Sequence, residues 1–270
     1  MKKWIFCFTL CLSSFIVAAP MQNHHIDADS LSQLTALFGI SEDADLIAET
    51  QRLWLRKPHQ ERWEMDELSN EKRCFVLNWG KKQGFFDPWM PLEQNYDKAL
   101  ILGATTGVMQ LRLNYLKDLW NEGIRFNEVV WLTGERPLDL AVDKLTDRCS
   151  NESEAARILW AESDLPEELA SLPLVFIEVP MKVVGASVQR PTTVDTLVAW
   201  LKVDTNPCKA LFVSSQPFCN YQHAVIEAYL PETFLFDCVG PGVDPTRHPK
   251  GAAILLDAVT RQIYQESLKN

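Results

Sequence analysis

The sequence predicts a three-layer α/β protein: a mostly parallel sheet of about five strands with helices on both faces, preceded by a helical N-terminal extension. The first observation concerns residues 98–139. An apolar run (99–102) ends at a glycine-containing turn, a stretch with a 3.6-residue apolar period follows (108–120), and a second apolar run comes next (129–132). Two buried strands joined by one helix form a right-handed parallel βαβ unit. The second observation is that the alternation continues to the C-terminus, which is typical of a parallel sheet covered on both faces.

The other elements of the sheet domain follow from the same pattern. Gly123 stands just after the last turn of the first helix, where a left-handed backbone is expected. Residues 137–150 are interpreted as an irregular or short helical insert, and residues 181–189 as a linker. Ser153 is the expected cap of the helix that it begins. Further strands are predicted at 174–177, 210–213 and 233–236, and further helices at 153–161, 193–202, 220–229 and 252–268.

Residues 21–97 form a predicted helical N-terminal lobe, and residues 98–270 the sheet domain. The lobe has candidate helices at 31–38, 44–55 and 62–79, the first capped by Asp29 or Ser30. Two prolines and a glycine make residues 84–91 irregular. Two interpretations of this tryptophan-bearing lobe stay open: an extension that packs on the sheet domain, or a lid over its site.

Residues 1–20 have the features of an export signal. Lys2 and Lys3 precede an uncharged, mostly apolar stretch (4–17), and the small residues Ala18 and Ala19 fit a cleavage site. The expected location is therefore periplasmic or secreted, with no stable membrane span once the signal is cleaved; an uncleaved anchor is the alternative. Five cysteines remain beyond this segment, so two disulfides and one free thiol are possible in an oxidising compartment, but spacing does not give the pairing.

The charge balance excludes one class of partner. The formal net charge is −10, and no run of basic residues occurs, which argues against a nucleic-acid surface. A metal site is not expected either, since His24 and His25 lie in the N-terminal tail and no cluster has zinc-ligand spacing.

Ligands of parallel α/β sheets bind beyond the carboxyl ends of the strands, and four loops qualify here: 103–107, 133–136, 178–190 and 214–219. At the first loop Gly103, Ala104 and Thr105 allow a backbone to approach a ligand, and the next helix offers free N–H groups to an anion. The segment GATTGVMQ lacks the third glycine of the dinucleotide fingerprint, and the P-loop lysine is absent. A plain tight connection between strand and helix is the alternative.

The polar side chains of these loops are the candidate ligand-binding groups. Arg136 can form a fork with a carboxylate or phosphate, or a surface pair with Glu135. Arg112, on the first helix, can point to the same loops or into solvent. Glu154 and Glu178 can transfer protons if they converge, and are otherwise a cap and a surface acid. Other candidates are Thr133, Gly134, Ser214 and Ser215.

The order of these motifs resembles the YdcF/SanA/ElyC-like family over about residues 98–265. The resemblance rests on ILGAT, the helix arginine Arg112, LTGER, the Ser153-Glu154 pair, the strand end at Glu178 and the VSS strand end at Ser214 and Ser215. The family's next helix start is met in part at Thr192, Thr193 and Asp195. The resemblance implies a Rossmann-like fold, association with the cell envelope and, in some members, binding of S-adenosylmethionine.

One departure from the family concerns charge. Where the family places a histidine and then an arginine, this chain has Phe218 and Tyr221. The departure weakens the case for an anionic or nucleotide-like ligand.

Three functions follow as hypotheses. The first is an exported YdcF-like domain that binds a small polar or anionic molecule, such as a nucleotide or a cell-wall precursor, at the strand ends. The second is a catalytically inactive scaffold that binds a protein partner through its Trp-rich lobe. The third is a hydrolase using Ser215 and His223, although VSSQP is not the GxSxG nucleophile motif. Weak candidates for catalysis are Glu135, Glu154 and Ser215.

Overall fold

The computed structural model describes residues 25–58, 60–185 and 187–268. The predicted export signal at residues 1–20 lies outside these ranges. Within them, no helix is both long and apolar enough to cross a lipid bilayer.

Five parallel strands form the central sheet, which confirms the predicted fold class. They are β1 (Lys98–Leu102), β2 (Glu128–Gly134), β3 (Leu174–Val179), β6 (Lys209–Val213) and β7 (Leu235–Val239), in the order β3-β2-β1-β6-β7. All neighbouring pairs are parallel, so every strand ends at the same edge. The fifth strand begins two residues later than predicted, because Phe234 N–H donates to the carbonyl of Pro231 in a turn.

Helices cover both faces of this sheet, as expected of a Rossmann-like three-layer fold. Successive residues of a strand point to opposite faces, so Ile101 packs with α4 (Thr106–Asn121) and α5 (Glu152–Glu162). Leu100 and Leu102 pack with α7 (Thr193–Val203) and α8 (Cys219–Tyr229) on the other face. A short helix, α6 (Glu167–Ala170), precedes β3.

The structure confirms the predicted glycine after the last turn of α4 but not the predicted cap of α5. Gly123 has a positive φ of 100°, as expected after the last turn of α4. The cap of α5 is Asn151, whose side chain accepts from Glu154 N–H, and not Ser153. Ser153 is instead buried inside the first turn, where its hydroxyl contacts Thr133 Oγ1 at 2.9 Å.

The N-terminal lobe consists of α1 (Ala28–Leu37), α2 (Leu46–Trp54) and α3 (Asn70–Lys82). It shares one apolar core with the C-terminal helix α9 (Gly251–Ser267), built from Trp54, Trp79 and Leu255 among others. The predicted helix at 62–79 was wrong in its first half. A 3₁₀ turn (Arg62–Glu64) is followed by non-helical backbone, and α3 begins only after Ser69, whose hydroxyl accepts from Lys72 N–H.

Two other expectations were tested. The predicted linker at 181–189 forms an antiparallel hairpin of β4 (Lys182–Val184) and β5 (Ser187–Gln189), with Gly185 at a φ of 61°. The five cysteines beyond the predicted signal are all free thiols and form no disulfide among the described residues: Cys74, Cys149, Cys208, Cys219 and Cys238.

Candidate functional site

A cavity of about 490 Å³ lies at the carboxyl edge of the sheet. The loops after β1, β2 and β6 form one side of it, and the segment from the hairpin into α7 forms another. The N-terminal lobe, the loop after β7 and α9 also line it. The lobe is therefore a part of the cavity as well as a packing extension.

About half of the candidate residues reach this cavity. Those that line it come from two of the four predicted loops, from α4 (Arg112) and from the start of α7 (Thr192 and Thr193): Gly103, Ala104, Thr105, Arg112, Gly134, Arg136, Thr192 and Thr193.

Three candidates lie just behind the cavity wall. Thr133 and Ser214 are fully buried, and Thr133 Oγ1 donates to the carbonyl of Ile177. Ser215 is 2% exposed, and its hydroxyl accepts from Arg112 Nη2 at 3.2 Å. These side chains support the wall and are not among the lining residues.

The acidic candidates lie outside the cavity lining and do not act as a group. Glu135 is exposed. Glu154 accepts from the backbone N–H of Ser150 at 2.7 Å. Glu178 pairs with Arg157 at 3.0 Å on the surface. The Glu154/Glu178 proton-transfer arrangement is therefore not formed.

Asp195 is likewise outside the lining, where it caps α7 through Thr192 N–H and pairs with Lys182. His223, the candidate base of the hydrolase, is not a lining residue either, and its ring packs against Phe236 with centroids 5.0 Å apart.

Arg112 is the most buried cation of the site. It is 3% exposed, and its Nη1 donates to the carbonyl oxygens of Leu102 at 2.7 Å and Gly103 at 2.9 Å. Burial lowers the pKa of its guanidinium to about 10. No carboxylate lies within ion-pair distance of it in the described part of the chain.

Gly103 makes room for a carboxylate that the sequence did not point to. A Cβ at Gly103 would overlap with Glu152 Oε1 and lie 2.8 Å from the carbonyl oxygen of Leu132. Glu152 accepts from Arg136 Nε at 3.2 Å and from Gly134 N–H at 3.3 Å. Burial raises the pKa of Glu152 despite the nearby Arg136.

Asp143 takes the place at the α4 N-terminus where an anionic ligand was expected. Its Oδ1 accepts from Thr106 N–H at 2.8 Å, and its carboxylate pairs with Arg136 Nη1 at 3.0 Å. The insert at 137–150 therefore supplies its own anion to this helix terminus and to Arg136. The glycine loop is a wall of the cavity, but its first helical N–H group already has a partner.

Four other arginines of the described chain also line the cavity close to one another, and we call them the four-arginine cluster: Arg56, Arg62, Arg190 and Arg261. Among the described residues, two carboxylates pair with them. Asp257, with no exposed side-chain area, pairs with Arg62 at 3.2 Å and with Arg261 at 3.1 Å. Glu61 pairs with Arg56 at 3.0 Å and with Arg190 at 2.9 Å. Burial, with the neighbouring arginines adding to it, lowers the pKa of Arg56 to about 10.

Two arginines of this cluster lie close to Phe218 and Tyr221, the positions where the YdcF/SanA/ElyC-like pattern has basic residues. The guanidinium of Arg62 lies over the Phe218 ring, 4.3 Å from its centroid. Burial alone would lower the pKa of the Arg261 guanidinium, but Asp257 and, to a smaller extent, Tyr221 raise it. Sequence reasoning missed Arg56, Arg62 and Arg261, because they come from the lobe and from α9, far along the chain from the loops that they face.

Comparison of the chain with protein-family models, with curated proteins and with solved structures gave no match. The resemblance to the YdcF/SanA/ElyC-like family therefore rests on motif order alone.

Proposed function

We propose that the protein binds a small anionic molecule in the cavity at the carboxyl ends of its strands. On the predicted export signal and the family resemblance, we further propose that it does so in the cell envelope. The proposal does not include a chemical reaction.

The supporting observation is a surplus of positive charge in the cavity wall. Among the described residues, six guanidinium groups line the cavity, from Arg112, Arg136 and the four-arginine cluster. Four carboxylates pair with these groups: Glu61, Asp143, Glu152 and Asp257. A fifth acid, Asp244, lies in the lining and pairs with Arg247 instead. A charge that is removed from water without a partner is unfavourable. An anion should therefore gain more binding free energy in the cavity than at an arginine on an exposed surface.

Binding is tested by thermal unfolding of the protein with a panel of small molecules. The panel contains pyrophosphate, citrate, a nucleoside monophosphate and S-adenosylmethionine, with an uncharged nucleoside as the neutral comparison. A ligand that binds only the folded state raises Tm with concentration. We expect pyrophosphate, citrate and the nucleoside monophosphate to raise Tm, and the neutral nucleoside and S-adenosylmethionine, whose net charge is positive, to leave it unchanged.

Two variants locate the binding. Ala104→Trp fills the cavity from its wall, whereas Leu140→Trp places the same side chain on the surface, where Leu140 is 86% exposed. The anion-dependent rise in Tm should be lost in Ala104→Trp and kept in Leu140→Trp. An equal rise in both variants would place the anion elsewhere and contradict the proposal.

The two alternative functions gain no support. Three tryptophans of the lobe, Trp54, Trp79 and Trp89, are at most 6% exposed and pack inside the protein. The fourth, Trp63, lines the cavity. These aromatic groups are therefore not arranged as a docking surface for a protein partner. In the hydrolase alternative, Ser215 is behind the wall and His223 outside the lining.

A further inference from the structure

We propose that the four-arginine cluster is a binding site for a phosphate dianion, so that the ligand is a phosphate monoester and the N-terminal lobe is an obligatory part of its site. This inference rests on the proposed function and deepens it, because it names the chemical class of the ligand and the residues that select it.

The charge of the cluster selects a dianion over a monoanion. Around Arg112 and Arg136 the charges sum to zero, because Asp143 and Glu152 both pair with Arg136 while Arg112 has no carboxylate within ion-pair distance. Among the described residues the four-arginine cluster pairs only with Glu61 and Asp257, so the net surplus of two charges lies there. A carboxylate ligand leaves one of these charges uncompensated, whereas a phosphate monoester has a charge close to −2 at pH 7 and above.

The cluster also keeps hydrogen-bond donors for such a ligand. A guanidinium has five N–H donors. In the ion pairs above, Arg62 uses only Nε, and Arg56 and Arg190 each use only Nη1. The remaining donors match the oxygens of a phosphate, which arginine binds through paired hydrogen bonds.

The arginines are held in place before any ligand binds. Arg62 is fixed between the Phe218 ring and Asp257, and Glu61 joins Arg56 of the lobe to Arg190 at the end of the hairpin. Pre-positioned donors lose little conformational entropy on binding. Two of the four cations come from the lobe, so the sheet domain alone lacks half of the site.

Apolar side chains in the cavity lining would suit an apolar group attached to the phosphate. This lining includes the apolar residues Phe86, Val108, Val142 and Ile254. Phenyl phosphate is therefore a suitable probe, and benzoate is the matched monoanion with the same ring.

The test is calorimetric titration of the full chain at pH 7.5 with both probes. We expect phenyl phosphate to bind at least about tenfold more tightly than benzoate. Arg190→Gln, Arg56→Gln and Arg62→Gln should each weaken phenyl phosphate binding about tenfold or more. Arg52→Gln, in the same lobe but 63% exposed and paired with Glu49, is the control and should bind like the wild type.

Each other result overturns the inference in a distinct way. Equal affinity for the two probes would mean that the site does not select a dianion. Tight binding of phenyl phosphate that the three cluster variants leave unchanged would place the phosphate elsewhere in the cavity, and the proposed function would stand. No binding of either probe, together with no anion effect on Tm, would remove both proposals. Arg190 pairs with Glu61, which is 27% exposed, whereas Arg62 pairs with Asp257, which has no exposed side-chain area. Arg190→Gln is therefore expected to fold even if Arg62→Gln does not.

Discussion

The guanidinium of Arg62 stacks on the ring of Phe218, with 4.3 Å between the guanidinium carbon and the ring centroid. The two residues belong to different parts of the chain: Arg62 to the N-terminal lobe, and Phe218 to the loop between β6 and α8. The contact therefore fastens the lobe to the carboxyl edge of the sheet and holds a cation at the cavity.

The first prediction concerns how much this contact contributes to the stability of the protein. A cation over an aromatic face contributes about 0.5 kcal/mol when exposed and about 2 kcal/mol when it is out of water. We expect a double-mutant cycle of Phe218→Leu and Arg62→Gln, measured by urea unfolding, to give a coupling free energy of about 1–2 kcal/mol.

Arg157 over Phe176 is the matched control, since its distance is also 4.3 Å but its arginine side chain is 52% exposed. The same cycle at this pair should give about 0.5 kcal/mol or less. Equal coupling at the two pairs would mean that burial of Arg62 adds nothing to the contact.

Most of the fold followed from local patterns in the sequence. Strands that are buried on both faces appear as continuous apolar runs, and 99–102, 129–132 and 210–213 all lie within observed strands. The errors lie where a tertiary contact or a turn overrides the local pattern. Residues 65–69 were included in a helix, yet the chain there is non-helical up to the Ser69 cap.

The site was predictable only in part, for a physical reason. The rule that ligands bind at the carboxyl ends of parallel strands found the lining residues of the first two loops, such as Gly103 and Arg136, because these follow strands directly in the sequence. Thr192 and Thr193 came from the resemblance to the YdcF/SanA/ElyC-like family. Arg62 and Arg261 reach the same cavity through packing of the lobe against α9, and neither has a local signal. Asp143 was missed in the same way, since nothing near it in the sequence shows that it caps α4.

The second prediction concerns Gly103. Gly103→Ala places a Cβ against Glu152 Oε1 and the carbonyl of Leu132. Glu152 is held by Arg136 and Gly134, so it cannot move aside without loss of these bonds. We expect a loss of about 1–3 kcal/mol in the free energy of unfolding, the usual cost of inserting an extra carbon where atoms are already closely packed.

Gly107→Ala is the control for the same substitution four residues later. Nothing lies within 4 Å of a Cβ at Gly107, which is in the first turn of α4. This variant should be unchanged or gain about 0.5–1 kcal/mol, because alanine loses less backbone entropy in a helix. A Gly103→Ala protein as stable as Gly107→Ala would show that Glu152 is not fixed against Gly103.

The third prediction is the pH dependence of stability at Asp257. Burial raises the pKa of this carboxyl, but the guanidiniums of Arg62 and Arg261 outweigh it and hold the pKa below its ordinary value of 3.8. A depressed pKa in the folded state adds stability that is complete above the unfolded pKa and is lost as pH falls through the folded pKa.

Asp257→Asn should therefore lower the free energy of unfolding by about 3–5 kcal/mol at pH 7, since it leaves buried guanidinium charge without its partner. The difference from the wild type should stay constant down to about pH 5 and shrink below pH 4. Asp164 is a fully exposed acid that pairs with Lys117, and Asp164→Asn should leave the free energy of unfolding nearly unchanged at every pH. A difference at Asp257 that does not change between pH 5 and pH 3 would contradict the ion-pair account.

The last prediction concerns thiol reactivity, which separates Cys74 from the buried cysteines. Cys74 is exposed on α3, whereas Cys219 and Cys238 are buried. A hydrogen bond with Cys219, together with burial, raises the pKa of the Cys238 thiol well above its ordinary value, and burial raises that of Cys208 to about 11. The thiolate is the reactive form, so these thiols react slowly.

With an aromatic disulfide reagent at pH 8, the native protein should therefore show a fast phase that is lost in Cys74→Ser. Cys238→Ser should keep that phase, because Cys238 reacts only when the protein unfolds in urea. If Cys238→Ser removed a fast phase, the carboxyl end of β7 would have to open readily to solvent. An opening there would expose the N-terminal end of α8. Phe218 directly precedes this helix, so its ring would no longer be held against Arg62.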